Sequence, residues 1–415
     1  MSILTRHLTI LPCEAGLDPA YLPLFRRPLS RERKWSTPFI AGLIHYIVFL
    51  LVVIMILPMS AMALDYTLTT GATASYFGSD GDAQGKQIYI PLSLSTTYTN
   101  WSFEMATALM ANQAENDMDA DADLTGLSDT SIGIAYTRKE GLPVDLMLCL
   151  DLSLPTGKTD LDREDAGLFT DSDLYLFKPY GEGINVNPSV IAARSWDKWS
   201  VAGGIGYNIR GKYDHNEGMK NYDPGDILIL TAEADYEKSE EWSFAFYGEY
   251  GIFSQDKLDG SGFHQQGDFF LAGCDAHYIQ SSWEALCNVE MILRTELIND
   301  DEIKLGVSPE DRKNTGDEIK LLGMYRRFLD DKSSAKGFLE IRHLNANDYK
   351  KTDTLYFGKR DKIRAGGAYT RELSSDLSVE LGAEFFIMAA DKSYFNTHDR
   401  TFHGLSLGVL LTRRF

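Results

Sequence analysis

Basic charge is scarce in this chain, and long apolar runs are confined to its front. Against 60 Asp and Glu the 415 residues carry 40 Lys and Arg, a formal net charge of −20. Phosphate polymers attract basic patches, so nucleic acid is excluded as a partner, and so is an anionic membrane surface. Beyond residue 57 no apolar run is long enough to cross a bilayer as a helix. Hydrophobic residues still make up 44% of the chain, with a mean hydropathy of −0.21, which excludes a helical membrane bundle. Of four cysteines none stands in a Cys-x-x-Cys-His motif, so covalent haem and an electron conduit are unsupported. No linker rich in Pro, Gly or Ser divides the chain, which predicts one main domain.

The front of the chain supplies an address. Ile47 to Leu57 is uninterrupted and apolar, preceded by Arg26, Arg27, Arg31, Arg33 and Lys34 and followed by Ser60-Ala61-Met62-Ala63. A basic start, an apolar run of about 7–15 residues and small residues at the cleavage positions make a secretory signal. A retained transmembrane helix over 39–57 is the rival, disfavoured by the cleavage motif. The expectation is a leader over 1–63, removed after Ala63, and a mature domain over 64–415. The leader holds six Lys and Arg and three Asp and Glu. The mature chain therefore keeps 34 basic and 57 acidic side chains, a net charge of −23.

What the mature chain has in quantity is alternation. In Val144–Leu154 the residues Val144, Leu146, Leu148, Leu150, Leu152 and Leu154 face one way. Asp145, Met147, Cys149, Asp151 and Ser153 face the other. A period of two is a β-strand with different environments on its two faces. Similar segments recur at about 64–77, 87–98, 101–112, 129–137, 184–194, 199–210, 226–236, 242–253, 268–279, 283–294, 318–328, 336–343, 361–371, 377–388 and 403–415. Long connections (115–128, 156–183, 211–225, 254–267, 297–317, 389–402) alternate with short ones (99–100, 195–198, 237–241, 280–282, 372–376). Lipid-facing residues at alternate positions and short turns opposite long loops are the pattern of an outer-membrane barrel. The predicted fold is all-β, a transmembrane antiparallel β-barrel of about sixteen strands, with 12–14 the alternative count. Phe415 ends an alternating strand, resembling the closing strand of bacterial outer-membrane barrels. That terminal aromatic is the expected handle for barrel-assembly machinery, with outer-membrane lipid as the surrounding partner.

Tryptophan placement agrees. Trp101, Trp196, Trp199, Trp242 and Trp283 all stand beside short turns and none beside a long loop. An indole favours the membrane–water boundary, where its ring is half apolar and its N–H stays wet. The five are expected to form one periplasmic aromatic belt.

Several short motifs follow one another in order. Thr125-Gly126-Leu127-Ser128-Asp129-Thr130 leads into a strand, and Leu154-Pro155-Thr156-Gly157-Lys158 follows the next one. Gly183 opens a strand ending in Ala192-Ala193-Arg194-Ser195, and Gly203, Gly204, Gly206 and Tyr207 come after it. This order resembles the outer-membrane channel family assigned to the meta-pathway of phenol degradation. The resemblance covers roughly 125–211, about a quarter of the mature chain. It implies a barrel that passes small organic solutes, and it carries over no binding residues.

Catalytic and metal chemistry find little support. Gly157-Lys158-Thr159 echoes the end of a phosphate-binding loop, but Leu152 stands where its first glycine belongs. Asp119, Asp121 and Asp123 are spaced like the start of a calcium loop. Leu124 replaces the glycine that such a loop needs, leaving at most a weak divalent-cation site in an acidic loop. His277 is assigned to the lumen side of its strand, which is not where a barrel lipase works. The expectation is no enzyme and no cofactor.

Pointing the apolar parity outward turns a set of charges inward. Asp145, Asp151, Glu233, Asp235, Glu249, Asp275, Glu284 and Glu290 form one acidic arc. Lys320, Arg326, Arg342, Lys362 and Arg364 form a basic one, shared with Glu340, Glu380 and Glu384. Tyr247, Phe338 and Phe386 also face inward. Opposed walls would impose a transverse field on a wet pore, and neighbouring charges that neutralise one another would make a plug instead. The expected function is passive diffusion of small organic solutes, including aromatic or hydrophobic ones. A non-transporting barrel that serves as a structural or surface-binding scaffold is the alternative. Finally, Cys274 and Cys287 flank the turn near 280–281 on the outward face. A two-residue turn at 280–281 would make them cross-strand neighbours able to form a disulfide, and a turn one residue later would leave them diagonal.

Overall fold

The computed structural model describes residues 65–81, 83–115, 122–139, 141–159, 161, 173–174, 176, 179–215, 219–296, 298–299, 312–352, 356–392 and 398–415. The expected leader lies outside them, as do Asp119 and Asp121.

Every predicted strand is present. The first eight are β1 (Asp65–Ser79), β2 (Gln84–Tyr98), β3 (Trp101–Glu115), β4 (in two pieces, Ala122–Leu127 and Thr130–Arg138), β5 (Asp145–Leu154), β6 (Asn185–Trp196), β7 (Trp199–Asn208) and β8 (Ile227–Glu237). The second eight are β9 (Trp242–Phe253), β10 (Phe269–Ile279), β11 (Trp283–Arg294), β12 (Glu318–Asp330), β13 (Ser333–Leu344), β14 (Arg360–Glu372), β15 (Leu377–Ala390) and β16 (Arg400–Arg414). Each pairs antiparallel with its chain neighbours, and β16 pairs with β1 from Thr67↔Arg414 to Ser79↔Phe402. The sheet therefore closes into a sixteen-stranded barrel. Closure matters in lipid, because an open sheet edge would leave backbone groups unbonded. The last residue takes part: the Phe415 N–H donates to the Tyr66 carbonyl at 2.8 Å.

Alternation decides which side chains meet lipid. Leu148, Ile205, Phe246, Leu339, Leu381 and Leu407 are large, apolar and exposed on the outer face. Their cross-strand partners share that face, as in Leu148↔Val190 and Phe246↔Cys274. Turns at one end are short. Tyr98 pairs with Trp101 and Trp196 with Trp199, across two-residue turns whose first residues, Thr99 and Asp197, take left-handed φ of 52° and 49°.

At the opposite end the connections are longer. Tyr222–Asp223, Asp256–Leu258, Ser261–Gln265 and Ile298–Asn299 form a separate four-stranded sheet. Tyr222 Oη donates to Asp256 Oδ2 at 2.5 Å, and Asp256 Oδ1 accepts the Gly225 N–H at 2.6 Å. Burial pushes the Tyr213 and Tyr222 phenols well above their ordinary range, so both remain neutral in this cap.

One irregularity positions everything that follows. Leu109 pairs with Leu127 but Ala106 pairs with Ser131, so β4 carries one residue more than β3 across Ser128-Asp129-Thr130. This is a β-bulge, which re-aims a side chain at the cost of one ladder step. Here it aims Asp129.

Candidate functional site

The Asp129 carboxylate is buried and accepts three backbone N–H groups. Gly157 donates at 2.8 Å and Gly181 at 2.9 Å to Oδ1, and Glu182 donates at 2.9 Å to Oδ2. Gly157 and Gly181 are the two ends of the 155–184 connection between β5 and β6. The Asp129 N–H also donates to the Pro179 carbonyl at 2.8 Å, and Thr156 Oγ1 donates to the Ser128 carbonyl at 2.8 Å. A Cβ on Gly157 would lie 2.6 Å from the Gly181 nitrogen. Gly181 itself has φ of +67°, with its Cβ position 2.2 Å from the Lys158 carbonyl oxygen. The two glycines let the loop ends close on one carboxylate. The motifs at 125–130 and 154–158, separate in sequence, are thus one clasp.

From that clasp the described part of the connection runs inside the barrel. Leu161 and Tyr180 are buried in an apolar cluster with Phe77 of β1, Met110 of β3, Phe386 and Met388 of β15 and Phe402 of β16. Gln87 of β2 holds Leu176 through both backbone groups, at 2.8 and 3.0 Å. Asp173 reaches the wall opposite β5 and β6. Its Oδ1 accepts from Arg342 Nη1 of β13, its Oδ2 from Arg360 Nη1 of β14 at 2.9 Å, and its carbonyl from Lys362 Nζ. Strands β13 and β14 are thereby joined to a loop anchored across the lumen.

All ten expected pore-lining residues lie on the inward side, but the two walls differ from the opposed acidic and basic arcs expected. On β11–β15 the cations are paired. Lys320 meets Glu290 at 2.5 Å, Arg326 meets Glu284 at 2.6 Å, and Lys336 meets Glu380 at 2.8 Å. Arg342 bonds Glu318 at 2.5 and 2.9 Å, and Arg364 bonds Glu340 at 2.9 Å and Glu384 at 3.2 Å. Glu284 and Glu290, read as part of the acidic arc, belong to this ladder because β11 is the neighbour of β12 (Glu284↔Arg326, Glu290↔Lys320). His277 completes it at 3.6 Å from Glu284. The second wall, on β4–β10, holds Asp145, Asp151, Glu233, Asp235, Glu249 and Asp275. Among the described residues no ion pair joins Asp151, Glu233 or Glu249 to a Lys or Arg. Asp275 instead accepts from Asn288 at 2.6 Å, which also donates to Tyr247 Oη at 2.7 Å.

The five tryptophans stand at the short-turn rim, and Trp101, Trp196, Trp199 and Trp242 are exposed on the outer face. They interlock with tyrosines: Trp101–Tyr136 at 4.9 Å, Trp199–Tyr236 at 4.7 Å, Trp242–Tyr278 at 4.7 Å, Tyr278–Trp283 at 5.0 Å and Trp283–Tyr325 at 5.6 Å between ring centroids.

Two expectations are corrected or bounded. The turn after β10 falls at 281–282, closed by the Gln280 N–H donating to the Trp283 carbonyl at 2.8 Å, so Cys274 pairs with Val289 and Cys287 with Ala276. The cysteines are diagonal, and both are free thiols on the outer face, as Cys149 is free within the barrel. Of the candidate cation ligands only Asp123 is described, in β4 opposite Gln113. Among the described residues no cluster of three His, Cys, Asp or Glu is arranged to hold a metal ion.

No family model matches the chain, and no curated protein matches its sequence. Among solved structures the chain is similar to the CymD monoaromatic hydrocarbon channel, at 10% identity and a TM-score of 0.41, covering 88% of this chain and 92% of that one. It is also similar to Pseudomonas aeruginosa OprD (10% identity, TM-score 0.39, 84% and 95% covered). A third is an anion-selective porin from Comamonas acidovorans (10% identity, TM-score 0.38, 85% and 99% covered). Independently of these, a closed antiparallel barrel with an apolar outer band and an aromatic rim belongs in one place. It is a protein of the Gram-negative outer membrane.

Proposed function

We propose that this barrel is a passive channel for small organic solutes, driven only by their gradient. One observation carries the reading: Asp151, Glu233 and Glu249 face inward and, among the described residues, no Lys or Arg forms an ion pair with them. Carboxylates left unpaired in a dry interior cost far more than a barrel can offset, whereas in a wet lumen they are hydrated. An inward loop that narrows the lumen fits a constricted, water-filled path. Inward aromatic faces at Tyr247, Phe338 and Phe386 suit organic solutes, in keeping with the resemblance at 125–211. The periplasmic side is assigned to the short turns and the Trp rim, and Phe415 to recognition by the assembly machinery.

The purified chain in planar bilayers tests this. Discrete ohmic openings support a channel, and an electrically silent, solute-impermeable barrel supports the scaffold alternative.

A further inference from the structure

The grip on Asp173 is unusual in chemistry as well as position. A single loop carboxylate takes up Arg342 and Arg360, while Lys362 holds its carbonyl, and the Asp173 side chain is only 6% exposed. Two of the cations lie over aromatic faces: Arg360 is 4.2 Å from the Phe357 ring centroid and Lys362 is 4.5 Å from that of Phe386. The next residue, Leu174, packs on the apolar cluster that contains Phe77, Phe386, Met388 and Phe402. A cationic seat and an apolar wall thus stand side by side, filled by an anionic head followed by an apolar tail.

We propose that this seat binds small organic carboxylates with an aryl-sized tail, and that Asp173-Leu174 is the resident stand-in such a solute displaces. Guanidinium groups favour bidentate carboxylates, and the head need not be part of the chain to satisfy them. Phe386 lies at the join, beneath Lys362 and inside the apolar cluster, so one ligand spanning both halves would touch it. Displacement would also release the contact that ties Asp173 to β13 and β14. The inference rests on the channel reading only for the solute's route to the seat.

The test is equilibrium dialysis of radiolabelled benzoate against the full chain folded in detergent micelles, with benzyl alcohol as the uncharged match. Asp173→Asn weakens the resident head, and benzoate should then bind at least about tenfold more tightly than to the unaltered chain. Adding Arg360→Gln should reverse the gain, and benzyl alcohol should respond to neither change. Leu174→Ala leaves every charge in place and opens the apolar half, so it should tighten benzoate binding even if Asp173→Asn does not fold. Equal benzoate affinity in the unaltered chain and the folded variants would overturn the proposal, as would equal binding of benzyl alcohol. Binding without conductance in bilayers would contradict the channel and leave the seat standing. Conductance without binding would do the reverse.

Discussion

The two walls of the lumen are built from the same strand pattern and handle charge differently. On β11–β15 Lys320, Arg326, Arg342 and Arg364 each find a carboxylate on an adjacent strand, as in Arg364 with Glu340 and Glu384. On β4–β10 the carboxylates of Asp151, Glu233 and Glu249 stand without such partners among the described residues. Pairing rigidifies, since two side chains and their strands are fixed together; unpaired charge does not, but it leaves a field in the water beside it. The paired wall is also where the inward loop docks, through Asp173. One side of the barrel is organised to hold something still, and the other to attract.

Breaking a pair on the first wall should give the largest effect. Glu318→Gln strips Arg342 and Arg294 of a carboxylate that is 8% exposed. Losing one partner of a buried pair is strongly destabilising, here by about 3 kcal/mol. Denaturant unfolding in micelles would show it, and Asp151→Asn on the other wall should change stability by no more than about 0.5 kcal/mol.

Ion selectivity should show the opposite sensitivity. Replacing Asp151 and Glu249 with Asn and Gln should lower the potassium-to-chloride permeability ratio about twofold, read as a shift in reversal potential. Glu290→Gln should lower it too, by uncovering Lys320. An unchanged ratio in the first double variant would mean the wall does not face the ion path.

A chemical probe sharpens the contrast further. Cys149 lies on the acidic wall between Met147 and Asp151, so a cationic thiol reagent should modify it several-fold faster than an anionic one at low salt. The difference should fade near 1 M salt, where the screening length falls to about 3 Å. Cys274 and Cys287, on the lipid face, should resist both reagents in bilayers. Mass spectrometry of the labelled protein separates the three.

Much of this barrel could be read from residue order alone, because period two is a local property. Leu146 to Leu154 announces an outer face without knowledge of any neighbour, and each Trp beside a short turn marks the rim. Pairing is different, since it depends on register. Glu284 and Arg326 are 42 residues apart and meet only because β11 and β12 align them. A turn placed one residue later likewise moved Cys287 from opposite Cys274 to opposite Ala276. The loop was least legible of all. Its anchor is a bulge one residue long at Ser128-Asp129, and its far contact joins Asp173 to Arg360 across 187 positions. The Gly157 and Gly181 close approach was the one local signal, visible as glycines but not as a pair.

The central claim is a wet, conducting lumen with one wall of uncompensated acid. The unaltered chain in a planar bilayer under a potassium chloride gradient tests it most directly. The account predicts discrete ohmic openings whose reversal potential lies on the potassium side of zero. A silent membrane, or a reversal potential on the chloride side, would contradict it.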